Sequence, residues 1–308
     1  MHTEKEVCLR FNLLGIYAPI PTPFAEGKIA YDRLEENLRF WLESDLAGIV
    51  VMGSNGEFVL LTPQEKEELM RFVCVRAKGK KPVIAGTGAE STAETIRLNE
   101  KAAEAGADAV LVVTPNYYKG EMTDPVLARF YRDVADASPL PVILYNMPRN
   151  AGINISAKLA VELAKHPNII GIKDSGGNIV QIADIIRNAP ADFSVFAGSA
   201  SFLYASLALG ATGGTLALAN IFPNECARLQ ALFEAGKMKE ARDLQMNLID
   251  SNNAVTARWG IPGLKAAMEM IGLYGGAPRP PLLPTGEADR EELRKILTRT
   301  GFFPQPKV

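Results

Sequence analysis

Histidine and cysteine are scarce in this 308-residue sequence, and their scarcity excludes several kinds of active site. The two histidines are His2 and His166. If His2 lies in a frayed terminus, His166 would have to serve alone, which argues against a histidine-rich metal site or a Ser-His-Asp triad. The three cysteines, Cys8, Cys74 and Cys226, are far apart and odd in number, which indicates a reducing compartment rather than a disulfide framework. An enzyme built from this chain must therefore use lysine, tyrosine, serine, aspartate or glutamate.

Charge and hydropathy exclude further classes. Lysine plus arginine number 33 and aspartate plus glutamate 35, a formal net charge of −2, which argues against a nucleic-acid-binding surface or a polybasic membrane anchor. No apolar run approaches the ~20 residues of a membrane span, and residues 1–10 lack the long apolar stretch of a signal peptide. With 47% hydrophobic and 22% charged residues, we expect a folded cytoplasmic protein with a large core.

The chain repeats one unit, in which a short apolar run ends at glycine, proline or polar residues and a helical pattern follows. Runs of this kind are spaced by about one βα unit, and they are Leu14–Ile20, Gly48–Met52, Val83–Ala85, Ala109–Val113, Val142–Tyr145, Ile169–Ile172, Ser194–Ala197 and Gly214–Leu218. Because each run is apolar enough to be buried on both faces, the pattern predicts an α/β fold, the (β/α)8 or TIM barrel. An open doubly wound sheet is the alternative, disfavoured because no Gly-x-Gly-x-x-Gly follows the first strand.

Two helix starts carry capping signatures. Thr62 and Glu65 have the spacing of a capping box, with Pro63 at the first helical position. Ser91 and Glu94 repeat that spacing. We therefore expect helices to begin at both points.

Beyond Gly236 the pattern becomes entirely helical. The expected helices are Lys239–Asn253, Gly263–Gly272 and Glu287–Thr298. The stretch from Gly275 to Pro284 is predicted to be a rigid connector, since its prolines exclude helix. We assign residues 1–235 to the barrel and residues 236–308 to a C-terminal helical extension of the same domain.

Active sites of α/β barrels lie at the carboxyl ends of the strands, and two neighbouring strands end there in reactive side chains. Lys173 precedes a glycine turn, and burial at that depth favours a neutral amine that can form a Schiff base with a ketone. Tyr145 ends the preceding strand, and adjacent strands lie ~4.8 Å apart, so its phenol could reach the amine and shuttle protons. The alternatives are that Lys173 extends to water or pairs with Asp174, and that Tyr145 plugs the barrel mouth.

The loops after the second and fourth strands are further candidates. Glycines flank the turn Gly53–Glu57, so two backbone amides and the Ser54 hydroxyl could bind a small carboxylate, unless this is a plain turn. Tyr117 and Tyr118 lie in a loop, where aromatic side chains are expected to pack on a ligand or a partner subunit, or else on their own barrel.

Two glycine-rich segments, Phe196–Ala200 and Gly213–Asn220, follow the last two strands. Phosphate-binding barrels hold the phosphate at this position, which keeps open a sugar-phosphate enzyme. Neither segment contains lysine or arginine, and this counts against phosphate.

Together these motifs resemble those of the dihydrodipicolinate synthase / N-acetylneuraminate lyase superfamily of pyruvate-dependent class I aldolases. The resemblance covers nearly the whole chain and is carried by Gly15-Ile-Tyr-Ala-Pro-Ile-Pro-Thr-Pro-Phe24, Gly53-Ser-Asn-Gly-Glu57, Ala85-Gly-Thr-Gly88, Tyr145-Asn-Met-Pro148 and Gly171-Ile-Lys173. Within the superfamily the pattern is most similar to that of 4-hydroxy-2-oxoglutarate aldolase, in residues 53–58, 114–120, 173–177, 197–200 and 260–265.

The resemblance implies a role for each matching residue. Lys173 would form the imine with the 2-oxo acid, and Tyr145 would relay protons. Ser54 and Asn55 would hold the carboxylate, and Ser54 would also link Tyr145 to Tyr117. In family structures that last tyrosine comes from the neighbouring subunit, which implies a dimer or a tetramer, and we expect a homotetramer built as a dimer of dimers. No metal or cofactor is implied, and the remaining expected substrate contacts are Ser175, Gly198, Thr215 and Arg149.

One segment departs from the dihydrodipicolinate synthase pattern. In those enzymes this segment is similar to Tyr-Asn-x-Pro-x-Arg-Thr-Gly, and the arginine helps bind the aldehyde's carboxylate. In this sequence Asn150 occupies the position of that arginine, and Arg149 precedes it. Their first motif also usually reads Gly-Thr-Thr-Gly-Glu. We therefore expect a Schiff-base lyase for 4-hydroxy-2-oxoglutarate, yielding pyruvate and glyoxylate. The alternatives are condensation of pyruvate with aspartate semialdehyde, a 2-keto-3-deoxy sugar-acid aldolase, a phosphate-binding isomerase and a non-catalytic 2-oxo acid sensor.

Overall fold

The computed structural model describes residues 11–303. His2, Cys8 and the stretch without a signal-peptide pattern lie outside the described residues.

Parallel strands form the centre of the molecule. In chain order the described strands are β1 (Gly15–Pro19), β2 (Phe24–Ala25), β3 (Lys28–Ile29), β4 (Gly48–Val51), β5 (Val83–Gly86), β6 (Ala109–Val113), β7 (Val142–Asn146), β8 (Ile169–Asp174), β9 (Ser194–Ala197) and β10 (Gly213–Thr215). β2 and β3 pair with each other as a short antiparallel hairpin. The remaining strands close into a barrel in the order β1-β10-β9-β8-β7-β6-β5-β4. The predicted TIM barrel is confirmed, and the open sheet is excluded because β1 pairs with both β10 and β4.

Helices surround the barrel and continue past it. They are α1 (Tyr31–Glu43), α2 (Pro63–Ala77), α3 (Thr92–Ala105), α4 (Asp124–Ala137), α5 (Pro148–Ala151), α6 (Ala157–Leu163), α7 (Ile179–Asn188), α8 (Leu203–Leu209), α9 (Pro223–Glu234), α10 (Met238–Asn253), α11 (Gly260–Met270) and α12 (Glu287–Thr298). In the described part of the chain, no helix has both the length and the apolar character needed to cross a membrane.

Of the two predicted capping boxes, one is complete. The Thr62 hydroxyl accepts the Glu65 amide at 3.2 Å, and the Glu65 carboxylate accepts the Thr62 amide at 2.9 Å. At α3 the Ser91 hydroxyl accepts the Glu94 amide at 3.2 Å, but the Glu94 carboxylate binds Arg97 at 2.8 and 2.9 Å. The prediction of a second box is wrong in this half, because a guanidinium is a stronger partner for a carboxylate than an amide.

The C-terminal helices agree with the sequence except around α11. A π-helical turn, Ala254–Arg258, follows α10, and α11 then begins at Gly260 rather than at the predicted Gly263. Pro262 is tolerated there because it lies in the first turn, where its missing amide has no intrahelical partner. Residues 275–284 contain neither helix nor strand. The assigned boundary at residue 235 stays a prediction, and it falls between α9 and α10.

Apolar side chains fill the interior of the barrel. The cluster consists of Leu13, Tyr17, Val50, Ile84, Ala109, Leu111, Ile143, Tyr145 and Phe196. A larger apolar cluster separates the strands from the helices. Because the interior is packed and not open, a ligand can enter only above this cluster, at the rim where the strands end.

Candidate active site

The register of β7 and β8 brings Tyr145 and Lys173 side by side. They are Cα partners in the parallel ladder, and both are buried, with exposed fractions of 4% and 3%. The Lys173 Nζ lies 4.0 Å from the centroid of the Tyr145 ring. The predicted proximity of the amine and the aromatic side chain is therefore observed.

Asp174 does not pair with Lys173, so that alternative is wrong. Successive side chains of a strand point to opposite faces, and the Asp174 carboxylate faces away from the barrel interior. It accepts hydrogen bonds from Asn146 at 2.8 Å, Gln181 at 2.9 Å and the amide of Gly176 at 2.8 Å. These bonds fix the end of β8 directly after the lysine.

A hydroxyl pair connects Tyr145 to the turn after β4. Ser54 Oγ lies 3.2 Å from Tyr145 Oη, and either hydroxyl can donate. Burial by itself raises the pKa of the Tyr145 phenol, but the charge of Lys173 and the hydrogen bond with Ser54 outweigh it, so the pKa is lowered. A phenol with a lowered pKa exchanges its proton more readily near neutral pH.

The turn that carries Ser54 and Asn55 is a short 3₁₀ helix, Ser54–Gly56. The amides of Gly56 and Glu57 bond back to the carbonyls of Gly53 and Ser54 at 3.0 and 3.1 Å. A helical turn leaves its own first amides without intrahelical partners. The segment is thus more than a plain connection, because its first residues border a cavity.

That cavity has a volume of about 290 Å³ and collects most of the predicted site. Its lining includes Ser54, Asn55, Tyr145, Arg149, Asn150, Lys173, Ser175, Gly198 and Thr215. These residues come from loops or strand ends after β4, β7, β8, β9 and β10. The structure therefore brings together every predicted site residue except Tyr117.

Tyr117 lies outside the cavity of its own chain. Its side chain is 78% exposed and that of Tyr118 is 69% exposed. The two rings contact each other edge to face, with centroids 5.1 Å apart. The alternative in which these tyrosines lie buried on their own barrel is wrong.

Gly198 is needed for packing beside Ser175. A Cβ at position 198 would lie 1.9 Å from Ser175 Oγ and 2.8 Å from the carbonyl oxygen of Asp174. The Gly198 amide donates to that same carbonyl at 2.7 Å. Only glycine allows this approach, which leaves the Ser175 hydroxyl in place.

The C-terminal extension forms one wall of the cavity, and the sequence did not indicate this. Val255, Thr256, Gly260 and Ile261 all line it. Arg149 donates to the carbonyls of Thr256 and Ala257 at 3.5 and 2.9 Å. A π-helical turn inside a helical pattern is frequent at functional sites, but its position is not visible in the hydropathy pattern.

The opposite end of the barrel has a larger cavity of about 680 Å³. It is lined by the loops that precede the strands, and His166 lies there, with Nε2 3.0 Å from Asp136 Oδ1 and Nδ1 accepting the Asn168 amide at 3.1 Å. Because barrel enzymes catalyse at the other face, we assign this histidine a structural role. Within residues 11–303, no group of three or more metal-binding side chains occurs.

A closed parallel barrel with a buried lysine at a strand end, beside a tyrosine in a small polar cavity, defines a class of enzyme. The class is that of lyases and aldolases that act through a lysine Schiff base.

Comparison with known proteins places the chain more closely. Residues 12–300 match the family described as the dihydrodipicolinate synthetase family. The chain is 36% identical to the 4-hydroxy-tetrahydrodipicolinate synthase of Syntrophus aciditrophicus (strain SB), over 94% of this chain and 99% of that protein. It is also 36% identical to the probable mitochondrial 4-hydroxy-2-oxoglutarate aldolase of Emericella nidulans, over 93% and 94%. The chain therefore belongs to the dihydrodipicolinate synthetase family.

Solved structures agree with this assignment. The 4-hydroxy-tetrahydrodipicolinate synthase of Methylacidiphilum fumariolicum SolV has a TM-score of 0.90 and 32% identity, covering 94% of this chain and 96% of its own. The chloride-inhibited dihydrodipicolinate synthase of Acinetobacter baumannii, complexed with pyruvate, has a TM-score of 0.90 and 33% identity, covering 94% and 99%. The protein is an enzyme of the pyruvate-dependent lyase and aldolase type.

Proposed function

We propose that the enzyme cleaves 4-hydroxy-2-oxoglutarate to pyruvate and glyoxylate through a Schiff base on Lys173. The observation that carries this proposal is the arrangement of Lys173, Tyr145 and Ser54, with the amine 4.0 Å from the phenol ring and the two hydroxyls 3.2 Å apart. An amine, a proton relay and a carboxylate-binding turn are the groups that imine chemistry on a 2-oxo acid requires.

Imine formation comes first. The neutral Lys173 amine attacks the C2 carbonyl of the substrate, and the carbinolamine loses water to give a protonated imine. Tyr145 relays a proton from the attacking nitrogen to the carbinolamine oxygen and then donates the proton that the departing hydroxide needs, which leaves its phenolate beside the protonated imine. Its lowered pKa supports this role, since a proton must move in both directions.

Carbon–carbon cleavage then uses the imine as an electron sink. A base removes the proton of the C4 hydroxyl, the C3–C4 bond breaks, and its electron pair enters the imine to give an enamine. Glyoxylate leaves, C3 is protonated, and water releases pyruvate from Lys173. Each step is reversible, so the same groups would serve condensation.

The turn at Ser54 and Asn55 is the proposed site for the carboxylate next to the reacting carbonyl. Both residues line the cavity that contains Lys173, and its volume of about 290 Å³ suits a small acid. Ser175, Gly198 and Thr215 are proposed to border the rest of the substrate. Arg149 also lines this cavity and is the proposed partner for a distal carboxylate.

A second candidate is condensation of pyruvate with aspartate semialdehyde. The names of the relatives from Syntrophus aciditrophicus and Geobacter metallireducens favour it. The neutral side chain of Asn150, at the position of the arginine in the dihydrodipicolinate synthase pattern, is our reason for ranking it second.

We further propose a homotetramer in which Tyr117 reaches the site of a neighbouring subunit. The exposure of Tyr117 and Tyr118 supports a partner that covers them. An apolar cavity of about 320 Å³ borders Ser54 and is lined by Phe58, Val59, Val113 and Ile261, among others. An aromatic side chain from a second copy would fit beside Ser54 there. The cytoplasm as its compartment also stays a prediction.

The test is borohydride reduction in the presence of pyruvate, followed by peptide mass spectrometry. We expect one lactyl-sized mass on the peptide that contains Lys173. An adduct on another lysine, or none, would refute the mechanism. Cleavage of 4-hydroxy-2-oxoglutarate and condensation with aspartate semialdehyde are then measured side by side with the same preparation. A larger kcat/KM for condensation would replace our first substrate with the second.

A further inference from the structure

The turn that carries Ser54 and Asn55 lies between two strained residues. Met52 and Glu57 both have a φ of 56°, in the left-handed region that L-amino acids other than glycine rarely adopt. Residues stay in this region only when surrounding contacts hold them there. The turn must therefore be fixed by something other than its own two hydrogen bonds.

Glu57 supplies the main contact. Its Oε1 lies 2.5 Å from the Nζ of Lys265, and the two side chains are 0% and 1% exposed. Its other oxygen, Oε2, accepts the backbone amide of Arg279 at 2.8 Å. Lys265 belongs to α11 and Arg279 to the connector that follows, so both partners come from the C-terminal extension.

The partners of Glu57 are themselves held. The Lys265 ammonium lies 4.6 Å from the centroid of the Phe24 ring, and the Arg279 guanidinium contacts the Glu65 carboxylate at 2.7 Å from each of its terminal nitrogens. Arg279 also donates to the carbonyl of Leu60 at 3.0 Å. The C-terminal extension is thus connected to the turn that carries Ser54 and Asn55 through charged side chains, each of which has a fixed partner.

We propose that the buried Glu57–Lys265 ion pair positions the Ser54–Asn55 turn for binding the substrate carboxylate. Neither residue lines the 290 Å³ cavity that contains Lys173, so both are positioning residues and not catalytic ones. Fully buried ion pairs contribute little net stability compared with apolar residues, but they fix one geometry, because removing either partner leaves a charge without compensation. This inference rests on the proposed function only where it concerns the carboxylate.

The ion pair connects two of the sequence motifs that carry the family resemblance. Glu57 ends Gly53-Ser-Asn-Gly-Glu57, and Lys265 ends Gly260-Ile-Pro-Gly-Leu-Lys265. Residues 260 and 261 line the cavity at one end of the second motif, and Lys265 lies one helical turn further along. The second motif therefore contributes both to the wall of the cavity and to the support of the turn that carries Ser54 and Asn55.

The first experiment is Glu57→Gln, which keeps the shape and removes the charge. We expect faster hydrogen–deuterium exchange in the peptide containing residues 53–57, because the protected amides of Gly56 and Glu57 lose their fixed turn. We also expect KM for pyruvate or 4-hydroxy-2-oxoglutarate to rise about 10- to 100-fold, the scale of a small displacement of a binding group, while kcat changes less than about threefold.

Two further variants separate positioning from general stability. Glu57→Gln/Lys265→Gln removes both charges, and we expect it to recover melting temperature and part of the lost affinity. Glu65→Gln breaks the outer ion pair of Arg279 and leaves the inner pair in place, so its KM should stay within about twofold of the wild type. Glu65→Gln thus serves as the control from the same network.

The outcomes are distinguishable. Unchanged exchange in residues 53–57 of Glu57→Gln would overturn the positioning role, whatever the activity. Faster exchange with an unchanged KM would overturn its link to carboxylate binding. Absence of a borohydride adduct in the wild type would refute the proposed function, and the exchange measurement would still decide whether the ion pair fixes the turn.

Discussion

Two regions of this molecule each bury a lysine, and the groups in contact with the two amines differ. In the catalytic cavity, Lys173 is 3% exposed and contacts the ring of Tyr145. At the junction with the C-terminal extension, Lys265 is 1% exposed and lies 2.5 Å from the carboxylate of Glu57. Within residues 11–303, Lys173 makes no comparable ion pair with a carboxylate.

The difference lies in the groups that surround each amine. A carboxylate stabilises the charged form of a lysine, and a charged amine is not a nucleophile. Burial lowers the pKa of Lys265, and Glu57 counteracts part of that effect. At Lys173 the neighbouring groups are a phenol and hydroxyls, which exchange protons and carry no fixed negative charge.

The largest expected effect comes from Lys173→Met. Turnover should fall to background and the borohydride adduct should disappear, because no other group in the cavity forms an imine. Stability should be unchanged or higher, since the variant removes a buried amine that lacks an ion pair. Steady-state kinetics, adduct mass and urea unfolding measure the three effects. Lys158→Met, on the exposed surface of α6, is the control, and loss of its activity would undermine the comparison.

Tyr145→Phe tests the second member of the pair. It keeps the ring beside Lys173 and removes the hydroxyl that lies 3.2 Å from Ser54. We expect kcat to fall by ~10²–10⁴-fold, the usual scale for one acid–base group, while the adduct still forms on Lys173 at a reduced rate. Wild-type turnover in this variant would remove the relay role from Tyr145.

Of the two buried lysines, only Lys173 could be predicted from the sequence. Lys173 follows a short apolar run and precedes glycines, so its depth and its neighbour Tyr145 follow from the period of a strand and the order of a barrel. Lys265 lies in a helical pattern where lysine is usually exposed. Its partner Glu57 lies 208 positions earlier in the chain. No pattern of neighbouring residues relates two positions so far apart.

The same limit applies to the cavity wall. The strand-end residues were predictable because every parallel strand delivers its last side chain to one face. Val255, Thr256 and Ile261 were not, since their place depends on how α10 and α11 fold back across the barrel. Tyr117 was assigned through a family resemblance that involves a second subunit, and a single chain leaves it exposed.

For Lys265→Met we expect the opposite of Lys173→Met, namely a loss of stability with the adduct retained. It leaves the Glu57 carboxylate buried without its cation, which costs about 3–5 kcal/mol of unfolding free energy by the usual scale for a broken buried pair. The adduct should still form on Lys173. Urea unfolding at one fixed protein concentration measures the loss, because an oligomer's stability depends on concentration. A stability equal to that of the wild type would mean that the pair does not constrain the junction.

Glu65→Gln should give the smallest effect, and its pH dependence identifies the source. Hydrogen bonds from the Arg279 side chain lower the pKa of Glu65 from its ordinary 4.5 to about 2. A carboxylate with a lowered folded-state pKa stabilises the protein above its unfolded pKa, and this stabilisation is lost as the pH falls toward the folded value. The shift corresponds to at most about 3 kcal/mol at 1.36 kcal/mol per pKa unit, and we expect about 1–2 kcal/mol because the group is partly exposed to solvent. The gap in unfolding free energy between wild type and variant should therefore be constant above about pH 5.5 and should narrow between pH 4.5 and the lowest pH at which both remain folded. A gap that stays constant from pH 6 to pH 3 would show that the charge of Glu65 does not stabilise the protein through Arg279.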